Sequence, residues 1–442
     1  MNRLTIAAAA ACVALFVGVQ AASAMTIEKI VSPLGISAWL VREQTVPLIT
    51  LNYAFHGGSS QDAAEKSGAA NLAADLLDEG AGQLDAKAFH ERMEKRAIEL
   101  GFRVGRDDFH GSLRALNEHR DEAFELLRLA LTAPRFDADA VERVRGQQLS
   151  GMLRDSTNPN TVASTQWWAA AFPGHPYGRE SKGTVETLPR VTVDDLRDYV
   201  RRTFARNELT VSVVGDVDAK TAGELIDRAF GALPAKNDLK PVADANPRGM
   251  GRRIVIDLDV PQAVVNFGGL GLARKDPDFM AGYIVNHILG GGSFSSRLYR
   301  EVREKRGLAY GVSDSLVWFK RAAVILGGTA TQADRTADAL AIIEAETKRM
   351  ADEGPTAEEL AGAKSFLKGS YALSLDTSSK IAAQLTQIQL DNLGIDYVTR
   401  RSAMIEAVTL DDAKRVAKRL FGGGMLVTVA GKPKGLTSIG TE

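Results

Sequence analysis

The chain has 442 residues, a formal net charge of −1 at pH 7 and 25% charged residues. Nearly balanced charge with no basic tail gives no footing to a nucleic-acid partner, and the length allows about two or three domains with proper cores. The single cysteine, Cys12, falls in a leader-like segment, which excludes a disulfide framework, a thiol nucleophile and a Cys-based metal site from the remainder.

The leader is residues 1–24. Arg3 supplies the positive start, Leu4 to Val19 the apolar stretch, and Ala22-Ser23-Ala24 a small-residue cleavage site. That order reads as a secretory signal peptide and predicts a periplasmic or secreted product. No later stretch approaches the roughly 20 continuous apolar residues that cross a bilayer, so no membrane insertion is expected after cleavage.

The first element is a strand with Ile49, Leu51, Tyr53 and Phe55 in alternation. A helix is expected next, over 66–82. Ala69, Leu72, Ala73, Leu76 and Leu77 recur at three- and four-residue steps as a buried stripe, with Asn71, Ala74, Asp75, Asp78 and Glu79 on the other side. Strands follow within Gly101–Leu116, then helices over Asp121–Leu131 and Ala138–Arg154. Thr192 precedes Asp194 and Asp195 as a helix start, with Thr capping free N–H groups and the acids facing the positive helix end.

Much of this order recurs. VTVDDLRDYVRRTFARNELTVSVVG (191–215) resembles VTLDDAKRVAKRLFGGGMLVTVAG (408–431), with Asp194 and Asp411 separated by 217 positions. Val46-Pro47 and Val260-Pro261 precede similar strands 214 positions apart, and Val141 and Leu360 mark a looser pair at 219. Three markers at nearly one offset imply a duplication. The expected class is α+β: two tandem homologous domains, each a largely antiparallel sheet with helices packed on one face. We place the domains at 25–235 and 251–442. Between them, 236–250 is the linker, within a stretch rich in Pro, Asn, Asp and Gly.

Residues that carry chemistry are few. The histidines are His56, His90, His110, His119, His175 and His287, and no two sit three or four apart, so no helix offers a His pair to a metal. Asp75, Asp78 and Glu79 form either a solvated acidic face or a hard-cation site that lacks a loop for the remaining oxygens. GGGSFSSR (290–297) has no Gly-Lys-Ser/Thr and is no nucleotide P-loop. It reads as an anion nest or as a turn that lets another backbone approach closely. In SSRLYREVREKRGLAYGV (295–312), Leu298, Val302 and Tyr299 form the inner stripe of a short helix. Glu301 and Lys305 pair at four-residue spacing, and Gly307 ends the helix before a strand.

The SSRLYREVREKRGLAY run, the duplicated halves and HPYGR at 175–179 resemble the pitrilysin/insulinase family of metallopeptidases. The resemblance implies a clamshell of two α+β domains and zinc held by an inverted His-x-x-Glu-His motif with a downstream Glu. Those positions fall here on Asn71, Ala74 and Asp75, with Gly151 at the third ligand, so no cofactor is expected in this chain. The family's Arg and Tyr that contact the scissile peptide match Arg303 and Tyr310. The pattern implies a non-catalytic subunit that pairs with a zinc-bearing homologous subunit and supplies Arg303 and Tyr310 in trans to a peptide or unfolded-protein substrate. The alternative is a structural or peptide-binding clamshell without hydrolysis. An independent enzyme built on Asp75, Asp78 and Glu79 lacks a visible nucleophile–base pair.

Overall fold

The structure is a computed structural model that describes residues 25–440; the leader reading for 1–24 lies outside the described residues. The first half contributes strands β1 (Glu28–Val31), β2 (Ser37–Arg42), β3 (Leu48–His56), β4 (Glu99–Val104), β5 (Asp108–Leu116) and β6 (Leu209–Gly215). The second contributes β7 (Arg253–Ile256), β8 (Gln262–Leu270), β9 (Ala309–Trp318), β10 (Ala323–Gln332) and β11 (Leu426–Ala430). The first sheet runs β1-β2-β6-β3-β5-β4 and the second β9-β10-β8-β11-β7. Read from the opposite end, the second repeats the first without β1. Only the β2/β6 and β7/β11 pairs are parallel.

The first half's helices are α1 (Ala69–Ala74), α2 (Ala86–Lys95), α3 (Arg120–Thr132), α4 (Ala138–Asp155), α5 (Pro159–Ala171), α6 (Val193–Thr203) and α7 (Ala219–Phe230). Those of the second are α8 (Phe279–Asn286), α9 (Thr336–Glu353), α10 (Ala357–Leu373), α11 (Ser378–Leu390), α12 (Tyr397–Glu406) and α13 (Leu410–Phe421). The repeated Thr-x-Asp-Asp starts of α6 and α13 are both capping boxes, in which Asp195 and Asp412 accept from the Thr192 and Thr409 N–H groups. Residues 231–252, between α7 and β7, form neither helix nor strand. They are tied to the first half by Lys240 N–H to Gln61 Oε1 (2.7 Å) and to the second by Ala245 N–H to the Arg321 carbonyl (2.8 Å).

Packing differs from the sequence reading in one respect. Each sheet has its own helices on one face, and the other face is covered by a helix lent by the opposite half. In β11, Val427 and Val429 enter the second half's core, whereas Leu426 and Ala430 pack with residues of α5. Trp167 Nε1 donates to the Leu426 carbonyl at 3.0 Å, and the Thr428 hydroxyl donates to the Ala163 carbonyl at 2.8 Å. Gly268 makes room for this indole, since a Cβ there would meet the Trp167 ring at 2.9 Å. The reciprocal contact seats α11 on β6. Thr386 Oγ1 lies 3.0 Å from Ser212 Oγ, and Gln389 Nε2 donates to the Val211 carbonyl at 3.1 Å. Burial on both faces accounts for the near-continuous apolar runs VSVVG and LVTVA. It also accounts for the single hydroxyl residue in each, paired across the seam.

Candidate functional site

The opening helix is shorter than the pattern suggested. α1 closes at Ala74, and the chain continues in three-residue turns, with Leu76, Leu77 and Glu79 N–H groups bonding to Ala73, Ala74 and Leu76 carbonyls. Leu76 and Leu77 stay completely buried through this tightening, as the apolar spacing predicts. Ala74, read as part of the polar side, is itself buried at 2% exposure.

Asn71, Ala74, Asp75, Asp78, Glu79 and Gly151 nevertheless share one cleft of about 850 Å³, walled by α1, α4 and the edge strand β4. Three of its polar side chains are already engaged. The Asn71 amide donates to the Ser181 carbonyl at 2.6 Å, Gln148 Nε2 donates to Asp75 Oδ2 at 2.7 Å, and Glu79 is ion-paired to Arg143. Burial raises the Asp78 carboxyl above its usual range, against a weak pull from His90. A Cβ at Gly151 would meet only the end of the Arg154 side chain, at 3.8 Å, and the glycine itself offers no ligand atom to this wall. An amide, a methyl group, a capped carboxylate and a glycine do not fit a zinc ion. Among the described residues no group of three or more His, Cys, Asp or Glu could hold a metal. The cleft is lined entirely by first-half residues.

Arg303 and Tyr310 lie in the second half. The stretch before them coils in two π-helical turns, His287–Gly291 and Tyr299–Glu304, with Gly292 N–H to the His287 carbonyl and Lys305 N–H to the Arg300 carbonyl. Such turns are rare and frequent at functional sites. Leu298, Tyr299 and Val302 point inward, Glu301 pairs with Lys305 at 2.7 Å, and Gly307 reverses the chain at φ +59°. Tyr310 then falls in a bulge of β9, where pairing with β10 skips from Ala309↔Thr331 to Val312↔Thr329. The bulge turns the ring outward to 87% exposure. The Arg303 guanidinium stacks over the Tyr310 ring at 4.8 Å and over Tyr299 at 5.0 Å. Neither the guanidinium nor the phenol hydroxyl makes a hydrogen bond among the described residues, so both stand ready as donors.

Two supporting groups escaped the sequence reading. Arg297, 4% exposed, is held bidentate by Glu359 at 2.7 and 2.6 Å and donates to the Gly354 carbonyl at 2.9 Å. It pins the turn that carries Arg303 to the first turn of α10. Glu359 also closes the capping box of that helix with Thr356, and a Thr-x-x-Glu helix start was a visible cue.

The second is Asp314, which strict alternation with Val312 and Leu316 along β9 aims into the core. Only 2% exposed, it accepts one bond from Asn286 Nδ2 at 2.6 Å, and its Oδ2 has no partner. Gly290 of the triple-glycine run sits against it, and a Cβ there would lie 2.8 Å from the Asp314 backbone nitrogen. That run therefore serves close backbone approach.

Burial pushes the Asp314 carboxyl up to about 8, the Asn286 bond offsetting only part of it. The unfolded group titrates near 3.8, so between these values the folded chain holds a proton that the unfolded chain releases. The contribution is full below pH 3.8 and is lost as pH rises through about 8. Asp314→Asn is expected to flatten this slope, by on the order of a few kcal/mol, in urea midpoints measured from pH 5 to pH 9. An unchanged slope would mean that the carboxyl is not neutral in the fold.

A two-domain α+β protein of peptidase architecture, with metal positions that carry no metal site, is the class defined by these features. Comparison with known proteins specifies it further. Residues 40–185 match the insulinase (peptidase family M16) domain, and residues 190–367 match the peptidase M16 inactive domain. A Helicobacter pylori protein described as non-peptidase homolog YmxG is 29% identical over 367 residues, 83% of this chain and 84% of that one. The uncharacterized zinc protease SCO5738 of Streptomyces coelicolor is 28% identical over 388 residues, 86% of this chain and 84% of the other. The crystal structure of a peptidase M16 inactive domain from Pseudomonas fluorescens superposes with a TM-score of 0.87 at 27% identity, covering 93% of this chain and 98% of that one. The chain belongs to the peptidase M16 (insulinase) family, and among its described residues the family's zinc positions form no metal site.

Proposed function

We propose that this protein is the non-catalytic subunit of a periplasmic two-chain zinc endopeptidase, supplying Arg303 and Tyr310 to a peptide held against a zinc-bearing homologous partner. The observation that carries the reading is the Arg303–Tyr310 pair, stacked, outward-facing and without hydrogen-bond partners, in a chain whose own cleft cannot bind the metal. A zinc ion bound by the partner would supply the activated water. This chain's residues hold the substrate: the guanidinium and the phenol donate hydrogen bonds to the scissile carbonyl oxygen as it gains negative charge. An extended peptide adds to a sheet edge through main-chain bonds, which favours unfolded segments over folded proteins. The edge strand β4, which walls the cleft, is one such edge.

The test compares this chain, a zinc-bearing M16 protein of the same cell, and their mixture on an unstructured fluorogenic peptide, with zinc assayed on each sample. Cleavage is expected only from the mixture, with zinc only in the partner. A partner fully active alone and indifferent to this chain would leave a peptide-binding clamshell without hydrolysis. Periplasmic extraction of the tagged protein tests the location.

A further inference from the structure

The second half holds a cavity of about 320 Å³ between α8, the last turn of α10, α11 and α12, lined also by Trp318; Arg274, Trp318 and Asp391 divide it from a neighbouring cleft that they line too. Its charges do not balance. Arg401, on α12, is 6% exposed, and its guanidinium stacks 4.2 Å from the Tyr371 ring and 5.7 Å from Tyr283. Its one hydrogen bond is Nη1 to the Leu367 carbonyl at 2.9 Å, and no carboxylate among the described residues pairs with it. Beside it the Tyr371 hydroxyl is buried without a partner.

A second guanidinium, that of Arg274, stacks over Phe279 at 4.1 Å and donates to the Tyr397 hydroxyl at 2.7 Å. It pairs at 3.9 Å with Asp391, the one acid in the cavity lining. That carboxylate already accepts from the Trp318 indole at 3.1 Å. The lining therefore holds two cations and one carboxylate, and that carboxylate is paired with Arg274. The remainder is one positive charge and one free phenolic donor on adjacent side chains, in a chamber walled by aromatic rings. A buried charge without a counter-ion is unfavourable, and a fork of guanidinium N–H groups next to an O–H matches a carboxylate. Flat apolar walls with a few convergent polar groups are the usual form of a small-molecule site.

We infer that this cavity binds a small aromatic carboxylate, its anionic end held by Arg401 and Tyr371 and its ring packed against Tyr283 and Trp318. The same chemistry is presented by a free acid and by the C-terminus of a peptide ending in an aromatic residue. This assignment is independent of the Arg303–Tyr310 reading, since none of these residues belongs to that site.

The experiment uses the full chain and three probes: phenylacetate, its neutral analogue phenylacetamide, and Gly-Gly-Phe. Binding is followed by the fluorescence change of titration and by Tm. Phenylacetate or Gly-Gly-Phe is expected to saturate below about 10 mM and to raise Tm, and phenylacetamide to bind about tenfold more weakly. Whichever acid binds identifies the source. Arg401→Met is expected to abolish binding. Should that variant fail to fold, Tyr371→Phe decides, because it removes an oxygen with no partner in the free protein; its expected effect is about a tenfold loss of affinity at unchanged Tm. Saturation by neither acid, equal binding of the amide, or indifference to Tyr371→Phe would overturn the assignment.

Discussion

Arg303→Ala, in the assembled two-chain peptidase, is expected to lower kcat and kcat/KM together by about 10²–10³-fold. The guanidinium has no hydrogen-bond partner among the described residues and only stacks on Tyr299 and Tyr310, so its removal leaves no polar group there unsatisfied. The loss is therefore expected in the reaction and not in Tm. Tyr310→Phe keeps the ring that stacks on Arg303 at 4.8 Å and deletes only the hydroxyl. A fall of the same order would place the donor, rather than the ring, at the developing charge. If both variants stay within about threefold of the parent, well under the 10²–10³ expected for an oxyanion donor, the transition-state role of the pair is wrong.

Arg297→Met is expected to cost about 3–5 kcal/mol, the usual price of leaving one member of a buried ion pair behind. Glu359 is only 19% exposed, and burial alone would raise its pKa; the Arg297 bonds hold it down at about 2. Methionine fills much of the same volume but offers no donors, so the carboxylate is left with the Thr356 N–H at 2.8 Å and the half-exposed Arg300 guanidinium at 3.5 Å. The double variant Arg297→Met/Glu359→Gln keeps a capping-box side chain without the charge, and more than half of the loss should return in urea unfolding. A single variant that costs under about 1 kcal/mol would reduce this pair to the level of a surface salt bridge. The lowered Glu359 pKa also fixes a sign: its stabilising contribution is present above 4.5 and fades as pH falls toward 2. Arg297→Met should therefore narrow the stability gap to the parent on acidification.

The duplication was legible because it is carried by local signals. Thr caps three residues before an acid, Val-Pro before an alternating strand, and the 217-residue offset all survive without tertiary information. The outward face of Tyr310 was less legible. Alternation along a strand fails at a bulge, and the skip between Ala309 and Val312 comes from β9–β10 pairing, not from the order of residues alone. The helix over 66–82 was overextended for a related reason. A three-residue turn and a four-residue turn share most of their apolar spacing, so the switch to i−3 bonds after Ala74 leaves no mark in it. Asp314 was missed although its alternation was in view, because an acid at an inward strand position is ordinarily read as exposed.

The sequence by itself determined the two-copy α+β plan, the absence of an imidazole pair for zinc, and the helix boundaries set by Thr caps and glycine stops, since each depends on residues within a turn or two of one another. The tertiary structure alone decided which half covers which sheet. Trp167 meets the Leu426 carbonyl and Thr386 meets Ser212 across separations of 259 and 174 residues, and such contacts leave no period in the chain. It also decided where charge remains unbalanced: Arg401 and Asp391 are ordinary residues in sequence, and only the packing of α8, α10, α11 and α12 removes them from water together and makes their count matter.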